Sequence, residues 1–278
     1  PVNTENYIQI NGSTPCTDVL SDPKAHDGKG ERTFINTIGA CNSFTPEMLG
    51  DKFFAGDILW FGATALVPPI HDNLTALLKR GRDAGKINIV STVFDFRNEK
   101  KAPTKPWPMG DSYDSYSMID LLIVDWEEAM RLSGGKTIED ATSFFMKKGV
   151  SSFVITHGAK NFYAWSDGRL FAPFALKAMP ISALVDHELT AHPEKRGDTT
   201  GCGDNFAGGI VGSLVKQMAE GVQRGKADMT DACAWAAASG GFACFCIGGT
   251  YVEKTPGEKA SLLKRYHDAY LTQSGVKS

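Results

Sequence analysis

The sequence predicts an α/β chain, a three-layer α/β/α sandwich with a mostly parallel central sheet. Three observations carry this. Short apolar runs alternate along the chain with segments of helical periodicity. The runs are apolar throughout, as expected of strands covered on both faces. A glycine-rich turn then leads into a helical segment near residue 204, the usual place for a ligand at the carboxyl ends of such strands.

Taken in order, Tyr7 to Phe44 reads as short strands and turns, with Asp27-Gly28 in a polar turn and Arg32-Thr33-Phe34-Ile35 as a strand. Thr45-Pro46-Glu47 starts a helix, Thr45 as cap and Pro46 at the first helical position. Asp57 to Phe61 is a buried strand, His71 to Asp83 a helix ending at Gly85, and Ile87 to Phe94 the next strand. Lys101 to Ser117, polar and with three prolines, reads as a surface loop. Leu121 to Val124 is a strand and Trp126 to Leu132 a helix. Thr137 to Asp140 resembles a capping box, opening a helix that stops at Gly149. Ser152 to Thr156 is a strand. Asn161–Trp165 and Arg169–Phe174 flank Asp167-Gly168, a hairpin signal. Helices follow from Asp204 and Thr230, and Thr255-Pro256-Gly257-Glu258 opens a last one.

Composition narrows the function. With 42% apolar and 22% charged residues, the 278-residue chain can bury a core, which excludes disorder. A net charge of −3 argues against a nucleic-acid partner. Pro1 to Ile10 lacks the basic stretch and apolar core of a signal peptide. Ala232 to Gly249 is uncharged, but its four glycines make it a buried helix and loop rather than a membrane span. The six cysteines form no CxxC pair, and Cys244 and Cys246 read as small buried residues in a reducing, cytoplasmic setting. The histidines show no metal spacing. Gly134-Gly135-Lys136-Thr137 is not a P-loop, because Met130 stands where the first glycine is required. Arg97 reads as a salt-bridge partner, with a phosphate contact as the alternative.

The densest signal is Gly197-Asp198-Thr199-Thr200-Gly201-Cys202-Gly203-Asp204-Asn205-Phe206-Ala207-Gly208-Gly209. A glycine-rich turn opening a helix offers unpaired N–H groups and the positive end of the helix dipole, an anion site suited to phosphate. A carboxylate planted there, Asp204, is placed to take a proton from an attacking hydroxyl. The plainer alternative is a packing turn with Asp204 as a helix-start residue.

This segment resembles the Asp-Thr-x-Gly-Ala-Gly-Asp signature of the ribokinase, or pfkB, carbohydrate kinases. Other segments resemble the family in the same order: Gly30 to Phe34 and Gly39-Ala40 its β lid, Asp125-Trp126-Glu127-Glu128 its Asn-x-x-Glu motif, and Thr156-His157-Gly158 its Thr-x-Gly. The resemblance implies a ribokinase-like fold, with 1–44 a partial β lid and connecting strands and 45–278 the nucleotide-binding and catalytic core. It implies ATP-dependent phosphorylation of a small sugar, with a nucleoside kinase or a non-catalytic binding relative as alternatives. Asp204 would be the base, and the amides of Gly201, Cys202 and Gly203 the anion hole. Glu128 would organise Mg²⁺ through water, Thr156 and Gly158 would border ATP, and Asp198 and Thr200 would serve a K⁺ site. No membrane partner is implied; a homodimer through the lid is.

Three departures stand out. Cys202 replaces the signature's Ala, and a thiol at a helix start is either alkylation-sensitive and shielded by ATP or an inert small residue. Asp125 replaces Asn, and reads as a helix cap or an extra Mg²⁺ carboxylate. The family's first strand, with its sugar-contacting Asp, and its Gly-Gly-x-x-x-Asn segment are not found before Tyr7, so the resemblance implies that an N-terminal region is lacking.

Overall fold

The computed structural model describes residues 3–22, 24 and 31–275; the expected Asp27-Gly28 turn and Gly30 fall outside them. β1 (Cys16–Asp22) and β2 (Glu31–Thr37) form an antiparallel pair of their own. The main sheet has six strands in sequence order: β3 (Ile58–Gly62), β4 (Ile87–Ser91), β5 (Leu121–Asp125), β6 (Ser152–Thr156), β7 (Phe162–Ser166) and β8 (Phe174–Met179). β3 to β6 run parallel; β7 and β8 return antiparallel.

Alternation along β5 separates two helical layers. Leu122 and Val124 pack with Leu78 of α3 (Leu74–Asp83), Leu132 of α6 (Trp126–Ser133) and Phe145 of α7 (Ile138–Lys147). Leu121 and Ile123 turn the other way, toward Ile210 and Leu214 of α9 (Cys202–Ala219), Ala232 of α10 (Met229–Ala243) and Tyr270 of α11 (Glu258–Gln273). Successive strand side chains point to opposite faces, so a run of apolar residues feeds both layers. The remaining helices are shorter: α1 (Asp51–Ala55), α2 (Pro68–Asp72), α4 (Phe96–Lys101), α5 (Asp114–Ser117) and α8 (Ala183–Ala191).

Four expectations need correction. The helix expected over 71–83 is broken at Asn73, whose side-chain amide donates to the Pro69 carbonyl (2.9 Å) and separates α2 from α3. The second hairpin strand is Phe174–Met179, not 169–174, because Phe171 bridges to Ala227 and Pro173 has no amide to give a ladder. Thr45-Pro46-Glu47 yields one 3₁₀ turn, Pro46–Met48, with no cap from the Thr45 side chain. The segment 101–117 is no surface loop, since Trp107, Met109 and Tyr116 are buried in the core. The last helix opens where expected: Gly257 starts α11 left-handed, and the Glu258 carboxylate accepts from the Tyr251 hydroxyl and the Lys254 amide. The capping box at Thr137 and Asp140 is present, and Arg97 pairs with Asp72.

α10 and α11 carry the far side of the site described below, and His267 ties them together. Its Nε2 meets Asp231 Oδ1 and its Nδ1 meets Asp268 Oδ1, both at 2.9 Å, and its ring stacks on Trp235 at 4.3 Å. Burial pushes its pKa down most strongly, but the hydrogen bonds and charges of the two carboxylates together outweigh burial and leave it above the ordinary 6.5. A raised histidine pKa means that the folded state binds the proton more tightly. That stabilisation is complete below the unfolded value of 6.5 and is lost as pH rises through the folded one. His267→Gln should therefore cost more stability below 6.5 than well above it. Urea unfolding at several pH values checks this; an equal cost throughout would mean that the ring is bound neutral.

Candidate active site

Two turns lie toward the carboxyl edge of the sheet. At the end of β5, Asp125 caps α6: its Oδ1 accepts from the Glu128 amide (2.8 Å), and Glu128 Oε2 accepts from the Asp125 amide (3.1 Å). Asp125 is thus the helix cap. The reciprocal bonds fold the Glu128 side chain back over the turn. There it is buried, and the Thr92 hydroxyl, just beyond β4, donates to the same Oε2. Burial, and then the Asp125 charge, push Glu128 up to about 7; the Thr92 and Asp125 hydrogen bonds oppose this without cancelling it. Asp125 pairs in register with Thr156 at the end of β6, which sets Thr156-His157-Gly158 beside the Glu128 turn. Trp126 and His157 stack across the two strand ends, 4.3 Å between centroids. Gly158 is exposed, with a φ of +56°.

The second part is the loop 197–201, fastened to the segment after α10 by backbone contacts. The Gly197 amide donates to the Cys244 carbonyl (2.8 Å) and the Asp198 amide to the Cys246 carbonyl (3.0 Å). Gly201 has a φ of +77°, and a Cβ there would stand 2.1 Å from the Gly249 carbonyl oxygen. The Asn205 side-chain amide seals the seam, donating to the carbonyls of Gly201 (2.7 Å) and Gly249 (2.8 Å). Within the loop, the Thr200 amide donates to Asp198 Oδ1 and the Cys202 amide to the Thr199 carbonyl (3.3 Å). α9 starts at Cys202, two residues before the expected start, so exposed Asp204 stands in its first turn. The amides of that turn have no acceptor within the helix. Phe206, one turn on, packs edge-to-face on Phe162 (5.0 Å), the residue that opens β7 where β6 ends. This brings the start of α9 to the end of the sheet that holds Thr156.

Asp204 lines a cavity of about 650 Å³ together with Asn205, Thr250, Glu253 and Lys259. Glu128, Thr156 and Gly158 do not line it. Lys259 donates to Asn205 Oδ1 (2.6 Å) and Thr250 Oγ1 (3.1 Å), and burial lowers its pKa. Nothing in the sequence marks Lys259, because it comes from α11, 55 residues beyond Asp204. Cys244 and Cys246 are half-buried rather than core residues; of the six cysteines, Cys233 is the buried one. Among the described residues no three His, Cys, Asp or Glu side chains are grouped to cage a metal, and no helix is long and apolar enough to cross a membrane.

Residues 2–256 match the pfkB family carbohydrate kinase profile, and the chain belongs to that family. The fold is that of ribokinases. The Thermotoga maritima ribokinase superposes with a TM-score of 0.62 at 18% identity, covering 95% of this chain and 72% of that one. The Arabidopsis thaliana ribokinase complexed with ribose and ATP gives 0.58 at 20% identity, covering 91% and 70%. A putative Ribokinase II from E. coli, in complex with ATP and Mg²⁺, gives 0.60 at 16%, covering 84% and 68%. No curated protein sequence matches the chain.

The Gly201 contact yields a direct test. Gly201→Ala costs about 1–3 kcal/mol for the left-handed conformation alone, and the clash of its methyl group with the Gly249 carbonyl adds to that. The urea midpoint should fall accordingly; an unchanged midpoint would show that the seam yields without cost.

Proposed function

We propose that this chain transfers the γ-phosphoryl group of ATP to a hydroxyl of a small sugar, with Asp204 as the base. The observation that carries this reading is the position of Asp204: an exposed carboxylate in the first turn of an 18-residue helix, at the positive end of its dipole. In this reading Asp204 accepts the proton of the attacking hydroxyl. The N–H groups of Gly201 and Gly203, joined by that of Cys202 once it exchanges the Thr199 carbonyl for the ligand, face the phosphoryl oxygens and offset the charge that gathers there. Fixed backbone dipoles suit this task, because they need no reorganisation during transfer.

Thr156 and Gly158 border the nucleotide at the strand end, where a Cβ on Gly158 would meet nothing within 4 Å. The donor set fits Mg²⁺ held mainly by ATP phosphates and water rather than a protein cage: one buried carboxylate, Glu128, steadied by Thr92. Bound there, Mg²⁺ would neutralise charge on the transferring group. Its field would also keep Glu128 ionised, against the burial that otherwise favours the acid form. Asp198 and Thr200 are the proposed K⁺ residues, with the hard oxygen donors that such an ion takes. The family and the fold support the kinase class; the preference for a sugar over a nucleoside is our inference, and so are the lid-mediated homodimer and a cytoplasmic location. The exposed Val19, Leu20, Phe34 and Ile35 on β1 and β2 support pairing through that ribbon.

ADP release with Mg²⁺-ATP across a panel of sugars and nucleosides tests the proposal. Asp204→Asn should lower turnover by about 10²–10⁴, the range for loss of a general base. Near-full turnover in that variant would remove Asp204 from the role. ATP binding without turnover on any substrate would favour a non-catalytic relative. Glu128→Gln should raise the Mg²⁺ needed for half-maximal rate by roughly tenfold or more, as loss of a metal-orienting group does. A magnesium dependence equal to that of the parent chain would free Glu128 from that duty.

A further inference from the structure

Two cysteines 42 residues apart in sequence meet at the loop just described. Cys202 opens α9 and Cys244 closes α10, and their sulfurs lie 3.5 Å apart. A disulfide bond is about 2.05 Å long, so closure needs an approach of roughly 1.5 Å. Both residues are half-buried, open enough for a small reagent. The setting favours a thiolate at Cys244. The Cys244 thiol is drawn down to about 7, first by its hydrogen bond with Cys202 and, against burial, by the Arg196 charge. The two backbones are already joined, since the Cys244 carbonyl holds the Gly197 amide.

We propose that Cys202 and Cys244 form a reversible disulfide that displaces the anion loop and switches the site off. Its effect on turnover rests on the kinase reading above; the bond itself does not. The oxidant is a low-molecular-weight disulfide such as oxidised glutathione. The Cys244 thiolate attacks one of its sulfurs, the reagent's S–S bond breaks, and one glutathione thiolate leaves. Cys202, having given its proton to solvent, attacks Cys244 Sγ and expels the second glutathione as thiolate. Two electrons pass from the protein thiols to the reagent, and the two protons released are available to the two glutathione thiolates. Excess reduced thiol drives the same exchange backward. Drawing Cys202 toward Cys244 moves its own amide and that of Gly203, next to Asp204. A displacement of about 1 Å at a reacting centre can cost on the order of 10²-fold in rate.

The test equilibrates the full chain in glutathione buffers from reducing to oxidising, quenches with acid, and maps peptides without reduction. A linked peptide joining Cys202 to Cys244 should appear on oxidation and vanish with dithiothreitol. Turnover should fall at least tenfold with it and return on reduction. Cys244→Ala should keep the reduced rate and lose the sensitivity, whereas Cys246→Ala should retain both the link and the sensitivity. Glutathione adducts or other pairings without the 202–244 link would overturn the proposal. So would a link that leaves both the rate and the hydrogen exchange of residues 197–204 unchanged. A reduced chain without turnover on any substrate counts against the kinase reading alone, because the peptide map and the exchange of 197–204 still decide the thiol pair and the displacement.

Discussion

The seam between residues 197–201 and 244–249 is the contact on which the site depends. Two backbone hydrogen bonds, the Asn205 side-chain bridge and the approach of Gly201 to Gly249 join a loop before α9 to a loop after α10. Neither loop has regular structure to hold it. Their mutual hydrogen bonds satisfy backbone groups that would otherwise be costly to bury. The seam also sets the direction in which α9 begins, and so where Asp204 and the first-turn amides point.

The sheet supplies the complementary half. Parallel strands deliver their turns to one edge, so Asp125, Thr156 and the start of α9 gather there although they lie far apart in the chain. The two halves hold charge differently. Asp204 is exposed, while Glu128 is buried and drifts toward its acid form without a cation nearby. In the proposed reading, a site divided in this way would take metal and nucleotide together, since each would relieve a cost that the other leaves. The thiol pair lies on the seam itself, so a single bond there would reach the helix start before any other part of the fold.

Much of this is legible in the sequence because it is local. Apolar runs at β3 to β6, the cap at Thr137 and the glycine-rich opening of α9 depend on neighbours within a few residues. The breaks were less legible. Asn73 interrupts a helix by choosing a carbonyl four residues back, and Pro173 delays β8 because Phe171 finds a partner at Ala227. The segment 101–117 is polar in composition, yet its Trp107 and Tyr116 are buried in the core.

The sequence by itself determined the α/β class, the glycine-rich turn with its Asp204, and the motifs at Glu128 and Thr156, because period and turn chemistry are properties of short stretches. Only the tertiary structure decided that Gly249 sits against Gly201, that Lys259 reaches Asn205, and that Cys202 faces Cys244. Those partners lie 42 to 54 residues apart. Packing of α9, α10 and α11 on one face of the sheet brings them together, and no local pattern encodes it.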